Sequence, residues 1–204
     1  TVLFLAPIII GIIIHPNAQL FKGLVFLAVL LTLFEFYTIT LSPGHLIEKV
    51  FGVVLGGFLS AFILFCSDWS SYLFLILTII TILSLIYYVF SPLDSLKGVL
   101  HQLSLFPFGT LYIGSLLSYL GLVRDLPNGV YWVFLIFFMT WFNDTFAYFA
   151  GHWWGRRRLA PKVSPGKTIE GFIGGFFGSA LAFFIFSALF ENPCFWYHGL
   201  ILTG

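Results

Sequence analysis

The chain has 204 residues, of which 60% are apolar and 8% charged, with a formal net charge of +1 and a mean hydropathy of +1.04. Charged groups this sparse cannot cover a water-facing surface, so the composition excludes a soluble globular enzyme or binding module and defines an integral membrane protein. The two cysteines, Cys66 and Cys194, exclude a disulfide framework and a cysteine-based metal site.

Crossing a hydrocarbon core of about 30 Å takes about 20 apolar residues in helical conformation. By that ruler the chain is predicted to be an all-α, polytopic transmembrane helical bundle of about seven spans. They fall at residues 2–14, 24–41, 50–66, 72–90, 103–122, 130–150 and 171–190, with an eighth beginning near Gly199. Residues 2–14 have neither a basic leader nor an Ala-x-Ala cleavage site, which argues against a signal peptide and for the remnant of a first span. The first residue is Thr1, and the last, Gly204, falls as an apolar run is starting. The expectation is therefore one transmembrane domain, 1–204, cut at both ends. Turn formers separate the spans at His15-Pro16-Asn17, Ser42-Pro43-Gly44, Ser91-Pro92-Leu93-Asp94 and Asp125-Leu126-Pro127-Asn128-Gly129. Trp132, Trp153, Trp154 and Trp196 fall near span ends, as interfacial anchors do.

Charge is unevenly placed. If the connection at 151–170 faces the cytoplasm, alternation puts seven Lys and Arg residues on that side and leaves Lys22 and Arg124 on the other, as the positive-inside rule requires. The same orientation sets Glu35 and Asp144 each roughly 9 Å from the cytoplasmic end of its span, at 1.5 Å per residue. Two intramembrane acids at one depth point to a shared polar cavity, with a helix-to-helix hydrogen bond as the plainer account of Glu35. Thr140, Asp144, Tyr148 and Gly151 share one helical face running towards the basic connection. Small residues at Ala147, Gly151 and Gly155, at Gly171 and Gly175, and at Gly174, Gly178 and Ala182 should let the sixth and seventh spans approach closely.

The stretch from Asn143 to Gly175 holds five of the nine Lys and Arg residues and an intramembrane acid, Asp144, whose burial without a function would be costly. Ser164-Pro165 has the form of a helix start, which would put Gly166, Lys167 and Thr168 in the first turn of span seven, where free N–H groups and the dipole favour an anion. Arg156, Arg157, Arg158 and Lys162 add cations, an arrangement suited to a polyphosphate. Gly166-Lys167-Thr168 is not a P-loop, because Pro161 stands where that motif needs glycine and a membrane helix stands where it needs a strand. Arginines after a span also set topology or hold anionic headgroups, which accounts for one or two of them but not for Asp144. An acid beside an anion-binding helix start makes a place for Mg²⁺ and phosphate oxygens, and hence for phosphoryl or nucleotidyl transfer. His152 and His198 read as ordinary interfacial residues.

Two runs carry a resemblance: Asp144-Thr145-x-Ala147-Tyr148-x-x-Gly151-x-x-x-Gly155, and Leu159-Ala160-Pro161-Lys162-Val163-Ser164-Pro165-Gly166-Lys167-Thr168-x-x-Gly171. With Glu35-Phe36-Tyr37 in an early span, the chain resembles the bacterial phosphatidate cytidylyltransferase (CDP-diacylglycerol synthase) family. The resemblance implies a multi-pass enzyme of the cell inner membrane that joins CTP to phosphatidic acid, releasing pyrophosphate, with Mg²⁺ alone or with a second cation. It implies catalytic roles for Asp144, as metal ligand, and for Lys167. Arg156, Lys162, Ser164, Thr168 and Glu170 would contact substrate, with Asn143 and Tyr148 beside them and Glu35 in the cavity. The family's other signature, with Lys-Asp and His-Gly-Gly segments, is not within 1–204, so further metal ligands are expected beyond residue 204. No nucleic-acid partner is expected, and homodimer formation is left open. The alternatives are a CTP-dependent polyprenol or dolichol kinase, and an ion-coupled transporter using Glu35 and Asp144.

Overall fold

The computed structural model describes residues 2–41, 45–89, 105–162 and 164–190. The turns at 42–44 and 91–94, Lys97, Cys194, Trp196, His198 and the eighth span lie outside the described residues. Seven helices run through the described chain: α1 (Val2–Ile14), α2 (Ala18–Thr40), α3 (Leu46–Phe65), α4 (Trp69–Val89), α5 (Leu105–Val123), α6 (Gly129–Trp154) and α7 (Ile169–Leu189). Six of them, α2 to α7, are long and apolar enough to cross a membrane, and the chain is a multi-pass, all-α membrane protein. A short antiparallel hairpin of β1 (Arg158–Ala160) and β2 (Ser164–Thr168) joins α6 to α7. The chain divides into two compact units, Thr1–Gly129 and Val130–Gly204.

In the first unit α2 buries one stripe, Phe21, Val25, Val29, Leu33 and Tyr37, at the i, i+4 spacing that keeps residues on one face. Glycines on α3 receive it. A Cβ on Gly52 would stand 2.5 Å from the Tyr37 ring, and one on Gly56 2.6 Å from Leu33 Cδ1. Helix α5 closes on the same surface: the Tyr37 hydroxyl donates to the Phe106 carbonyl at 3.4 Å, and Ser118 Oγ lies 2.7 Å from Ser60 Oγ. Residues Gly109–Leu116 of α5 are wound as a π-helix, with Gly109, Thr110 and Gly114 buried. Lipid offers apolar side chains as good a solvent as a neighbouring helix does, so close approach over small residues is what holds such helices together.

Lys22 differs from the loop charge expected of it. It is 7% exposed and its ammonium lies 2.5 Å from the Asp125 carboxylate. Beside it, Arg124 donates through Nε to the Ile13 carbonyl at 3.0 Å and through Nη2 to that of His15 at 2.9 Å. The α1–α2 turn therefore meets the end of α5, which agrees with the alternation that assigned Lys22 and Arg124 to one side.

In the second unit α6 and α7 run antiparallel, and the expected small-residue stripes form their seam. A Cβ on Gly171 would stand 2.9 Å from the Ala147 carbonyl and 3.3 Å from Gly151 Cα; one on Gly178 would meet Phe146 Cβ at 2.6 Å. Further along, Leu135, Met139, Ala182, Phe183 and Phe186 form a buried apolar cluster.

Two boundaries differ from the sequence expectation. Helix α6 continues to Trp154, because nothing between Ala150 and Trp154 breaks it. Its last turn closes with Gly155 N–H donating to the Gly151 carbonyl at 3.1 Å, and the connection shortens from 151–170 to 155–168. Measured along the helix, Asp144 then lies roughly 15 Å before Trp154, and Glu35 roughly 8 Å before Thr40, so the equal spacing from helix ends does not hold. The start of α7 also moves. Ser164 is not its cap: residues 164–168 pair as β2, with Ala160 opposite Ser164 and Arg158 opposite Thr168. Thr168 is the cap, extended at φ −119° and ψ 155°, its hydroxyl accepting from Gly171 N–H at 3.1 Å. Pro165 sits in the hairpin, not in a first helical turn, and Lys167 precedes the helix.

Candidate functional site

The second unit contains a pocket of about 730 Å³ between α6, the hairpin and α7. Helix α6 supplies Asn143 and, at i, i+4 and i+8 along one face, Asp144, Tyr148 and His152. The hairpin and the residues leading into it supply Arg156, Arg158, Leu159, Lys167 and Thr168; α7 supplies Phe172 and Phe176. The helical walls converge at Gly151 and Gly171, both lining residues. A Cβ on Gly151 would come within 3.1 Å of Thr168 Oγ1 and 3.6 Å of Gly171 Cα, so the two glycines let the walls meet there.

One carboxylate, Asp144, thus shares a concavity with three permanent or near-permanent cations, Arg156, Arg158 and Lys167. All four are exposed, and none forms an ion pair with another described residue. Such a set is free to engage a ligand carrying several negative charges and, through Asp144, a hard cation. Asn143 is braced, its Nδ2 donating to Ser179 Oγ on α7 at 3.0 Å. The Tyr148 and His152 rings are stacked, with centroids 5.9 Å apart and planes within 4° of parallel.

Asn143, Asp144, Tyr148, Arg156, Lys167 and Thr168, all expected at the site from sequence, come together in this lining. Lys162, Ser164 and Glu170 do not line it. The Glu170 carboxylate instead accepts from the backbone N–H groups of Arg156, at 3.1 Å, and Arg157, at 3.2 Å. Glu35 belongs to the first unit, where it lies on an exposed face of α2. His152 was expected to be an ordinary interfacial residue, and Arg158 was expected only as one of the four cations ahead of Ser164, with no role of its own. The i+4 and i+8 relation of His152 to Tyr148 and Asp144 carried the signal for the first. Arg158 is set apart from Arg157 by the bend at Arg157 that leads into β1, and the sequence did not disclose that bend.

The fold and pocket together define a polytopic membrane protein with a cationic, single-carboxylate concavity where two helices meet an ordered basic hairpin. The chain belongs to the cytidylyltransferase family, whose model matches residues 1–204 in full. It is similar to the phosphatidate cytidylyltransferase of Haemophilus influenzae, 42% identical over 69 residues, covering 34% of this chain and 24% of that protein. Similarity also extends to the phosphatidate cytidylyltransferases of Bacillus subtilis, 34% identical over 94 residues (46% of this chain, 35% of that protein), and Thermotoga maritima, 37% identical over 89 residues (43% and 32%). The matched segments therefore span about a quarter to a third of those curated relatives.

Proposed function

We propose that the protein is a phosphatidate cytidylyltransferase, in which a phosphate oxygen of phosphatidic acid displaces pyrophosphate from the α-phosphorus of CTP at the inner membrane. The observation that carries this reading is the placement of Asp144 in one pocket with Arg156, Arg158 and Lys167, in a chain matched throughout by the cytidylyltransferase family. Asp144 is the one carboxylate that lines the pocket. Mg²⁺ is commonly held by one or two carboxylates with substrate phosphates and water completing its shell, so a single acid can serve it. Asp144 would be the residue holding it, and the ion would supply charge neutralisation at the phosphate oxygens.

The remaining work falls to this chain's own groups. Lys167, Arg156 and Arg158 neutralise the triphosphate, and their contribution grows as negative charge moves onto departing pyrophosphate. The Thr168 hydroxyl already accepts a backbone N–H and is left to donate to a phosphate oxygen. Phe172 and Phe176 give the pocket an apolar side on α7. The test supplies purified full-length protein with CTP, Mg²⁺ and either phosphatidic acid or a polyprenol. CDP-diacylglycerol with the first acceptor supports the reading. Transfer to polyprenol alone makes the protein a lipid kinase, and ion flux in liposomes without CTP makes it a transporter.

The hairpin is proposed to face the cytoplasm, which puts the CTP-binding cations on the side where CTP is made. Arg157→Cys is the probe, because Arg157 is exposed and does not line the pocket. An impermeant thiol reagent should label it in inside-out vesicles and leave it unlabelled in intact cells. Labelling from outside intact cells would reverse the orientation.

A further inference from the structure

Glu170 stands in the first turn of α7, fourteen residues after Arg156 in sequence, yet its carboxylate reaches the backbone ahead of the hairpin. Its Oε2 accepts from Arg156 N–H at 3.1 Å and from Arg157 N–H at 3.2 Å, and its Oε1 accepts from Arg157 N–H at 3.3 Å. A neighbouring tie runs the other way, from Ile169 N–H to the Arg157 carbonyl at 2.9 Å. One residue further on, Arg158 pairs with Thr168, the residue that caps α7. The start of α7 thus grips the segment 156–158 at every residue.

The grip matters because of phase. Arg156 and Arg158 line the pocket while Arg157, at the bend between the end of α6 and β1, does not. A segment that slipped or rotated by one residue would present Arg157 and withdraw the other two.

We infer that Glu170 is a positioning residue: its carboxylate fixes the backbone of Arg156 and Arg157 and so holds the guanidinium groups of Arg156 and Arg158 at the pocket. It does not line the pocket. Hydrogen bonds to an ionised acceptor are about twice as strong as neutral ones, which suits a carboxylate to holding two N–H groups at an otherwise exposed connection. The effect on turnover rests on reading the pocket as a CTP site; the grip on the backbone does not.

Two variants separate positioning from chemistry. Glu170→Gln keeps an oxygen where Oε2 now takes both N–H groups but removes the negative charge, whereas Glu170→Ala removes both acceptors. Hydrogen exchange of the full-length protein without substrate reads the grip directly. The Arg156 and Arg157 amides should exchange at least about tenfold faster in Glu170→Ala, on the scale of losing a hydrogen bond to a charged group, and within about threefold of wild type in Glu170→Gln. In the cytidylyl transfer assay the alanine variant should lower kcat/KM for CTP at least about fivefold, with the glutamine variant restoring most of it. Exchange at 156–157 that is unchanged by Glu170→Ala would overturn the inference. So would a glutamine variant as inactive as the alanine one with its amides still protected, because that outcome assigns the charge itself to metal or proton chemistry. If wild type transfers no cytidylyl group, the CTP reading fails, and the exchange measurement still decides the grip.

Discussion

Asp144→Asn in the full-length protein is expected to lower kcat for cytidylyl transfer by about two orders of magnitude or more, the scale seen when one preorganised electrostatic group is removed from a site. The substitution preserves the shape of the side chain and deletes its charge. Asp144 is exposed to the pocket and forms no ion pair with a described residue, so little folded-state contact is lost. Asparagine and aspartate also have similar helix propensity, which leaves α6 undisturbed. The loss should therefore appear in turnover while thermal unfolding of the detergent-solubilised protein stays near that of wild type. Raising Mg²⁺ should recover part of the rate, because a site holding the ion through fewer charges binds it more weakly. Near-normal turnover at ordinary Mg²⁺ would remove Asp144 from the metal site.

The membrane spans were legible in the sequence because the ruler that finds them is physical: a run of about 20 apolar residues is long enough to cross the hydrocarbon core. The seam between α6 and α7 was legible for a similar reason. Ala147, Gly151, Gly171 and Gly178 recur at helical spacing, and the structure uses each of them for close approach. What failed was local. Ser164-Pro165 matched a helix start by composition, but the residues around it pair across a hairpin whose strands are three and five residues long, too short to leave a periodic signal. The true start was marked by Thr168 followed by Glu170 in the first turn, and the earlier, apparently stronger signal masked it.

The residues that line the pocket divide along the same line. Asp144 and Tyr148 were legible as one face of one helix, and Lys167 and Thr168 as neighbours in a basic run. The separation of Arg156 and Arg158 from Arg157, and of Lys167 from Lys162, depends on which way an ordered connection turns each side chain. That turning is set by contacts between residues far apart in sequence, such as Glu170 with Arg156, which composition and spacing do not encode. A basic loop read as a uniform cloud of charge overstates its members: in this structure Arg156, Arg158 and Lys167 face the concavity, while Arg157 and Lys162 do not.

Lys167→Ala is expected to reduce kcat by about a hundredfold and to change KM for CTP by less than about threefold. Lys167 lies in β2, immediately before the residue that caps α7, and its exposed side chain lines the pocket. Truncating it leaves the Thr168 cap and the Arg158–Thr168 pairing intact, so helix and hairpin should persist. The expected partition between kcat and KM follows from where charge moves. In bound CTP the triphosphate charge would be spread over many oxygens and shared among Arg156, Arg158 and Lys167; as the bond to the α-phosphorus breaks, it would concentrate on departing pyrophosphate. A cation that gains interaction energy only at that stage lowers the barrier without tightening substrate binding. Lys167→Arg keeps the charge but exchanges a compact ammonium for a planar fork, and should retain more activity than alanine but less than wild type. The measurement is steady-state transfer by folded variants with CTP varied at saturating phosphatidic acid and Mg²⁺. A raised KM with unchanged kcat would make Lys167 a ground-state contact and refute its role at the leaving group; near-normal values of both would remove it from the site.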